Sequence, residues 1–147
     1  MFKRILIPTD GSRLSKKAIA QAVRLAGTIG ASVVGFHARP TYPVIAFSEG
    51  ATLPPEFFDQ WDRDTKRAGE NFLGHIEAAA RKAKVTFKGV QGSYSTASDG
   101  VISVAKRERC DLIVMGAHGR NALARLLLGS ETNRVLIDSK IPVLVIR

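Results

Sequence analysis

Asp111-Leu112-Ile113-Val114-Met115-Gly116-Ala117-His118-Gly119-Arg120 is the stretch from which the rest of the chain can be read. Its apolar run, residues 112–115, has no polar alternation, which marks a strand buried on both faces, as in a parallel sheet. Glycines then bound a loop over residues 116–129. Ser130 begins a helix to about residue 139, and residues 141–146 form a last apolar strand. Upstream, Val101, Ile102, Val104 and Ala105 mark a helix that Ser98 or Thr96 can start and that runs to residue 109. Residues 85–91 read as the strand before it. Pro54-Pro55 can open a long helix to about residue 82. Phe57, Phe58, Trp61, Ala68, Phe72, Ile76, Ala79 and Ala80 fall on its inner face, so Trp61 and the phenylalanines are expected in the core. Residues 39–53 lack periodicity and read as a loop, of a length that is often functional or mobile. Residues 32–37 are a strand. Leu14, Ala18, Ile19, Ala22, Val23 and Ala26 line a helix that Ser12 or Ser15 can cap and Gly30 ends. Residues 2–8 form the first strand.

Strand and helix thus alternate, β-α-β-α-β-α-β-α-β, with no repeat, linker or low-complexity tract. Alternation of this kind predicts an α/β fold: a doubly wound parallel sheet with helices on both faces and right-handed crossovers. A chain of 147 residues has the size of one domain, and residues 1–147 are expected to form it. Apolar residues at 45% and charged residues at 24% set aside the disordered and fibrous classes. No apolar stretch approaches the roughly 20 residues needed to span a bilayer. The run behind Lys3-Arg4 stops at Pro8, too soon for a signal peptide. A lone cysteine, Cys110, cannot close an internal disulfide, and the cytoplasm is the expected compartment. Lys plus Arg outnumber Asp plus Glu by 22 to 13, a net +9, which favours anionic partners. The cations are scattered over wet helix faces, however (Arg13, Lys16, Arg24, Lys66 and Arg81 among them), so no dedicated nucleic-acid surface is expected.

In open α/β sheets, ligands bind beyond the carboxyl ends of strands, where strand order reverses. Here the first strand exits into Pro8-Thr9-Asp10-Gly11-Ser12 and the fourth into Met115-Gly116-Ala117-His118-Gly119-Arg120. Glycine lets a ligand approach the main chain closely. Free amides at a helix start, with the helix dipole, form an anion site. A phosphate can therefore sit against Gly119, Gly129 and Ser130. The plainer reading keeps the glycines as turns and lets the Ser130 hydroxyl cap its own helix.

The spacing Gly-x2-Gly-x9-Gly-Ser after an apolar strand resembles the ATP-binding signature of the universal stress protein family. The resemblance covers the whole chain, including Ile5-Leu6-Ile7-Pro8-Thr9-Asp10-Gly11-Ser12, the block from Asp111 to Arg120, and Ile141-Pro142-Val143-Leu144-Val145-Ile146. It implies a Rossmann-like sheet of five strands in the order 3-2-1-4-5, with the switch point between the first and fourth. It implies ATP, with magnesium, as the ligand. Asp10, with Pro8 and Thr9 beside it, would lie at the nucleoside, and the main chain of Ala38 would read the adenine edge. Met115 and Gly116 would flank the ribose. Gly119, Gly129 and Ser130 would hold the phosphates, with Arg120 placed to meet their charge. The residue after Ser130 often offers its amide; here it is Glu131, where a small apolar residue is commoner. A carboxylate there repels phosphates unless it points away or helps to hold magnesium. Relatives frequently dimerise through the last strand, and an edge as apolar as residues 143–146 favours such burial. The resemblance implies a nucleotide-dependent regulatory module of the stress response with at most slow ATP hydrolysis. The 40–53 loop beside the adenine is a candidate for the change that ATP induces.

Other classes fit less well. Gly-x-Gly-x-x-Gly is missing after the first strand, and so is a Walker loop. His118 and Asp10 could pair for proton transfer, with Arg120 or Arg125 stabilising phosphate charge. Yet there is no Gly-x-Ser-x-Gly, and the three histidines, His37, His75 and His118, are dispersed. No catalytic residue and no metal ligand is assigned. His118 is expected to pack its loop and Cys110 to be a small core residue. The remaining alternative is a dimeric interaction protein that works without ATP.

Overall fold

The computed structural model describes residues 1–43, 50, 53–117 and 128–147. Among them the chain runs β1 (Arg4–Pro8), α1 (Arg13–Ile29), β2 (Ser32–Arg39), α2 (Pro55–Lys82), β3 (Phe87–Ser93), α3 (Ala97–Arg107), β4 (Leu112–Gly116), α4 (Ser130–Asp138) and β5 (Val143–Ile146). The strands pair in parallel as one sheet, β3-β2-β1-β4-β5, the expected order. β1 lies at the centre, with Ile5 opposite Val33 of β2 on one side and Leu112 of β4 on the other. Its side chains divide between two cores, because successive residues of a strand face opposite ways. Ile5 and Ile7 pack with Ile19, Ala22, Val23 and Ala26 of α1 and Leu73 and Ile76 of α2. Leu6 packs with Phe36, Val101, Val104, Met115 and Val135, under α3 and α4. Ile5, Leu6 and Ile7 are wholly buried, and each such burial is worth about 1.5–3 kcal/mol.

Local chemistry fixes where the elements start and stop. Ser12 caps α1 by accepting from the Ser15 amide at 3.1 Å, and Thr96 caps α3 by accepting from Asp99 at 3.1 Å. Three helices end alike. The Ala31 amide donates to Ala26, Val85 to Ala80, and Cys110 to Ala105, each after one residue in the left-handed region. Gly30 fills that position at φ 71°, but Lys84 and Arg109 fill it at φ 56°.

These caps account for several differences from the sequence reading. β3 begins at Phe87 rather than residue 85, because the Val85 amide closes α2. The left-handed turn at Arg109 lies beyond α3, which stops at Arg107. β1 begins at Arg4: the Lys3 and Arg4 amides donate to the Asp111 carboxylate at 2.8 and 2.9 Å, and Phe2 stays outside the ladder. Burial alone would raise the Asp111 pKa, but these two amides, with its own amide and the charged amino terminus, hold the carboxyl below its ordinary value. β5 begins at Val143 because Ser139 Oγ takes the Ile141 amide at 3.0 Å and Pro142 has no amide to give. β2 and β3 both run further than expected and stay paired to Arg39 opposite Ser93.

The largest departure is in α2. Its 28 residues rise about 42 Å, whereas the eight residues of β2 reach about 26 Å. Only Gly69, Leu73, Ile76 and Ala80 of α2 are buried. Phe57, Phe58 and Trp61, expected in the core, instead form a half-buried cluster beside it. Phe57 stacks on Trp61 at 6.2 Å, and Tyr42 meets Phe58 edge-on at 5.1 Å. The 39–53 loop falls largely outside the described residues.

Candidate functional site

The carboxyl ends of β1, β2 and β4 open into one cleft of about 150 Å³, a space of the order that holds a single flat aromatic ring. Phe36, Val101, Met115 and Val135 give it apolar walls, and Pro8 and Ala38 continue them. It lies at the β1–β4 switch point, the position expected for a ligand in such a sheet.

The polar groups around the cleft are fixed by one another. The Thr9 amide donates to Phe36 O at 2.8 Å, and Thr9 Oγ1 lies 3.1 Å from Ser15 Oγ. His37 Nδ1 lies 2.8 Å from Thr9 O. A carbonyl only accepts, so Nδ1 carries the proton. The buried imidazole thereby clamps the ends of β1 and β2 together. Asp10 Oδ1 accepts from the Ser12 amide at 2.9 Å, which sets the turn leaving β1. Gly11 makes that turn at φ 77°, and a Cβ there would collide with the Phe72 ring. Phe72 in turn packs edge-on against His37 at 5.1 Å.

Two helix starts meet at the other side of the cleft, and α3 and α4 pack against each other there. Thr132 Oγ1 donates to Gly116 O at 3.1 Å, and the Gly129 amide donates to Ala117 O at 2.9 Å. Together they tie the start of α4 to the end of β4. Gly129 provides no side-chain cap, so the amides of the first turn of α4 have neither an intrahelical acceptor nor a hydroxyl of their own cap. Glu131 Oε2 accepts from the Ser98 amide, in the first turn of α3, at 2.6 Å.

Of the residues singled out from sequence, Pro8, Thr9, Asp10, Ala38, Met115, Gly116 and Glu131 all line this cleft. Gly129 and Ser130 sit at the start of α4 immediately beside Glu131, but the Gly129 amide is already engaged. Gly119, Arg120, His118 and Arg125 lie outside the described residues. Ser15, His37, Ser98, Val101, Thr132 and Val135 also line the cleft, and sequence reasoning did not place them there. No short motif marks them; the sheet order and the packing of α3 on α4 bring them in. Burial pushes the Cys110 thiol up to about 12, so it is inert packing beneath α3. Among the described residues no cluster of His, Cys, Asp or Glu could hold a metal ion, and no helix is long and apolar enough to cross a membrane.

A parallel α/β sheet with a ring-sized cleft at its switch point defines a nucleotide-binding class of fold. Residues 1–147 match the model of the universal stress protein family, and the chain belongs to that family. It is 30% identical to universal stress protein MJ0531 of Methanocaldococcus jannaschii, over 100% of this chain and 83% of that one. It is likewise 30% identical to universal stress protein YxiE of Bacillus subtilis, over the full length of both. The solved structure of protein MJ0577 superposes with a TM-score of 0.82 at 26% identity, covering 99% of this chain and 96% of that one. Two more distant structures share the fold: a universal stress protein in complex with cAMP (24% identity, TM-score 0.68, 99% and 97% covered) and one from Archaeoglobus fulgidus with dAMP (17%, 0.68, 99% and 98%).

Proposed function

We propose that this chain is an adenine-nucleotide-binding regulatory module of a stress response, taking ATP with magnesium and turning it over slowly if at all. The observation that carries the reading is the juxtaposition in one cleft of apolar walls sized for a ring and the amino end of α4, whose cap residue Gly129 gives no side-chain hydrogen bond. In this reading adenine lies between Val101 and the main chain of Ala38, with Asp10 at the nucleoside and Met115 and Gly116 flanking the ribose. The phosphates lie at the amides of Ser130 and Glu131. The amide donor set fits such a ligand, since backbone N–H groups at a helix start bind phosphate without any cationic side chain. The cAMP and dAMP complexes of structures with the same fold support the choice of base. Magnesium would arrive with the nucleotide and neutralise the charge of its phosphates. No general base is assigned to the described residues, and the module acts as a switch in the cytoplasm, as a homodimer joined through β5.

Calorimetric titration of nucleotide-stripped protein with ATP and magnesium tests this. One site per chain with a micromolar dissociation constant, about −8 kcal/mol, is the expected outcome. No heat at several temperatures, with an unchanged melting point in millimolar ATP, would instead favour an interaction protein that works without nucleotide.

A further inference from the structure

We propose that Glu131 selects the charge state of the nucleotide, disfavouring metal-free ATP relative to adenosine, AMP or magnesium-bound ATP. The inference rests on the reading of the cleft as an adenine-nucleotide site. The carboxylate is held in the cleft by its 2.6 Å bond to the Ser98 amide, a short, charge-assisted contact. Ser98 is only 2% exposed, so the bond anchors Glu131 to the wall of the cleft rather than to a surface. Thr96 Oγ1 already takes the Asp99 amide in the same turn. Glu131 thus completes the cap of α3 with an anion from the chain itself.

Two features turn this cap into a selector. The ion pairs of the described residues join Glu108 to Lys88 and to Arg107; none reaches Glu131, so its charge faces the cleft without a neutralising side chain among them. The backbone of Glu131 also belongs to the first turn of α4, the proposed phosphate donors. One residue therefore offers an amide to a phosphate and sets a carboxylate beside it. Each added phosphate charge meets like charge in a partly desolvated space, and such repulsion is worth roughly tenfold in affinity. Magnesium removes most of it. An apolar side chain at 131 would impose no such selection.

The test compares the full-length wild type with Glu131→Gln, titrated calorimetrically with adenosine, AMP, ATP, and ATP plus magnesium. Glutamine keeps an oxygen to accept from Ser98, and melting curves check that α3 stays capped. Glu131→Gln is expected to bind metal-free ATP roughly tenfold tighter and AMP slightly tighter, with adenosine unchanged and a smaller gain when magnesium is present. If adenosine binds both proteins and the ATP-to-adenosine ratio does not move, Glu131 is only a helix cap and the inference is overturned, while the site stands. Weaker binding of magnesium-ATP alone would make the carboxylate a metal ligand and also overturn it. If neither protein binds adenosine or any nucleotide, the site reading falls and takes the inference with it.

Discussion

Thr132, Gly129 and Glu131 show how single residues build one rim of the cleft. The Thr132 hydroxyl and the Gly129 amide both bond back to the end of β4, which fixes where α4 starts relative to the sheet. Gly129 itself sits at φ −60°, ψ 150°, a backbone any residue can adopt, so its glycine is not needed for the turn. A valine side chain there would stand beside the amides of the first turn of α4, where the proposed phosphates bind. Gly129→Val is therefore expected to fold, with a melting temperature within a few degrees of wild type, and to give no heat with ATP. Wild-type affinity in that variant would place the phosphates elsewhere. His37, one of three histidines dispersed along the sequence, teaches the complementary lesson: it is engaged by a backbone carbonyl as a clamp.

Among the elements, the helix ends carry strain that the sequence does not advertise. Lys84 and Arg109 occupy left-handed positions where Gly30 does the same job without a Cβ. That conformation costs a non-glycine residue about 1–2 kcal/mol, partly offset by the smaller entropy it loses on folding. Arg109→Gly should thus stabilise the protein by about 0.5–1 kcal/mol in urea titration. A loss of stability would mean that the arginine side chain more than compensates for its backbone. α2 shows a different limit. Its apolar pattern is continuous from Phe57 to Ala80, and pattern alone cannot say that the sheet ends before the helix does. Helical periodicity reports which face is apolar; the length of the neighbouring strands decides how much of that face is covered.

For the molecule as a whole, the net charge of +9 suits an anionic ligand, but among the described residues the cleft is lined by main-chain donors and apolar walls rather than by lysines and arginines. Binding there should respond weakly to salt, unlike phosphate-backbone contacts to a nucleic acid. At the sheet edge, Leu144 of β5 is 41% exposed, and Ile137 at the end of α4 is 72% exposed. An edge strand with free backbone groups and apolar side chains tends to pair with another copy. Light scattering should accordingly give a dimer for the wild type and a monomer for Leu144→Asp, with the fold retained. A wild type that is monomeric at high micromolar concentration removes β5 as a homodimer interface.

The sequence by itself determined the order of the elements and the parallel, doubly wound class of the sheet, while its strand order was legible only through the resemblance to the family. Apolar runs, helical spacing and capping serines and threonines act over a few residues, and alternation then leaves few topologies. It also pointed to both segments that border the cleft, because glycines and a helix start mark them locally. Only the tertiary structure decided that Ser98 and Glu131, 33 residues apart, share a hydrogen bond, that His37 locks onto Thr9, and that the front of α2 lies off the core. Each of these depends on which element packs against which and at what register, and that is set by filling two cores at once rather than by any short stretch of chain.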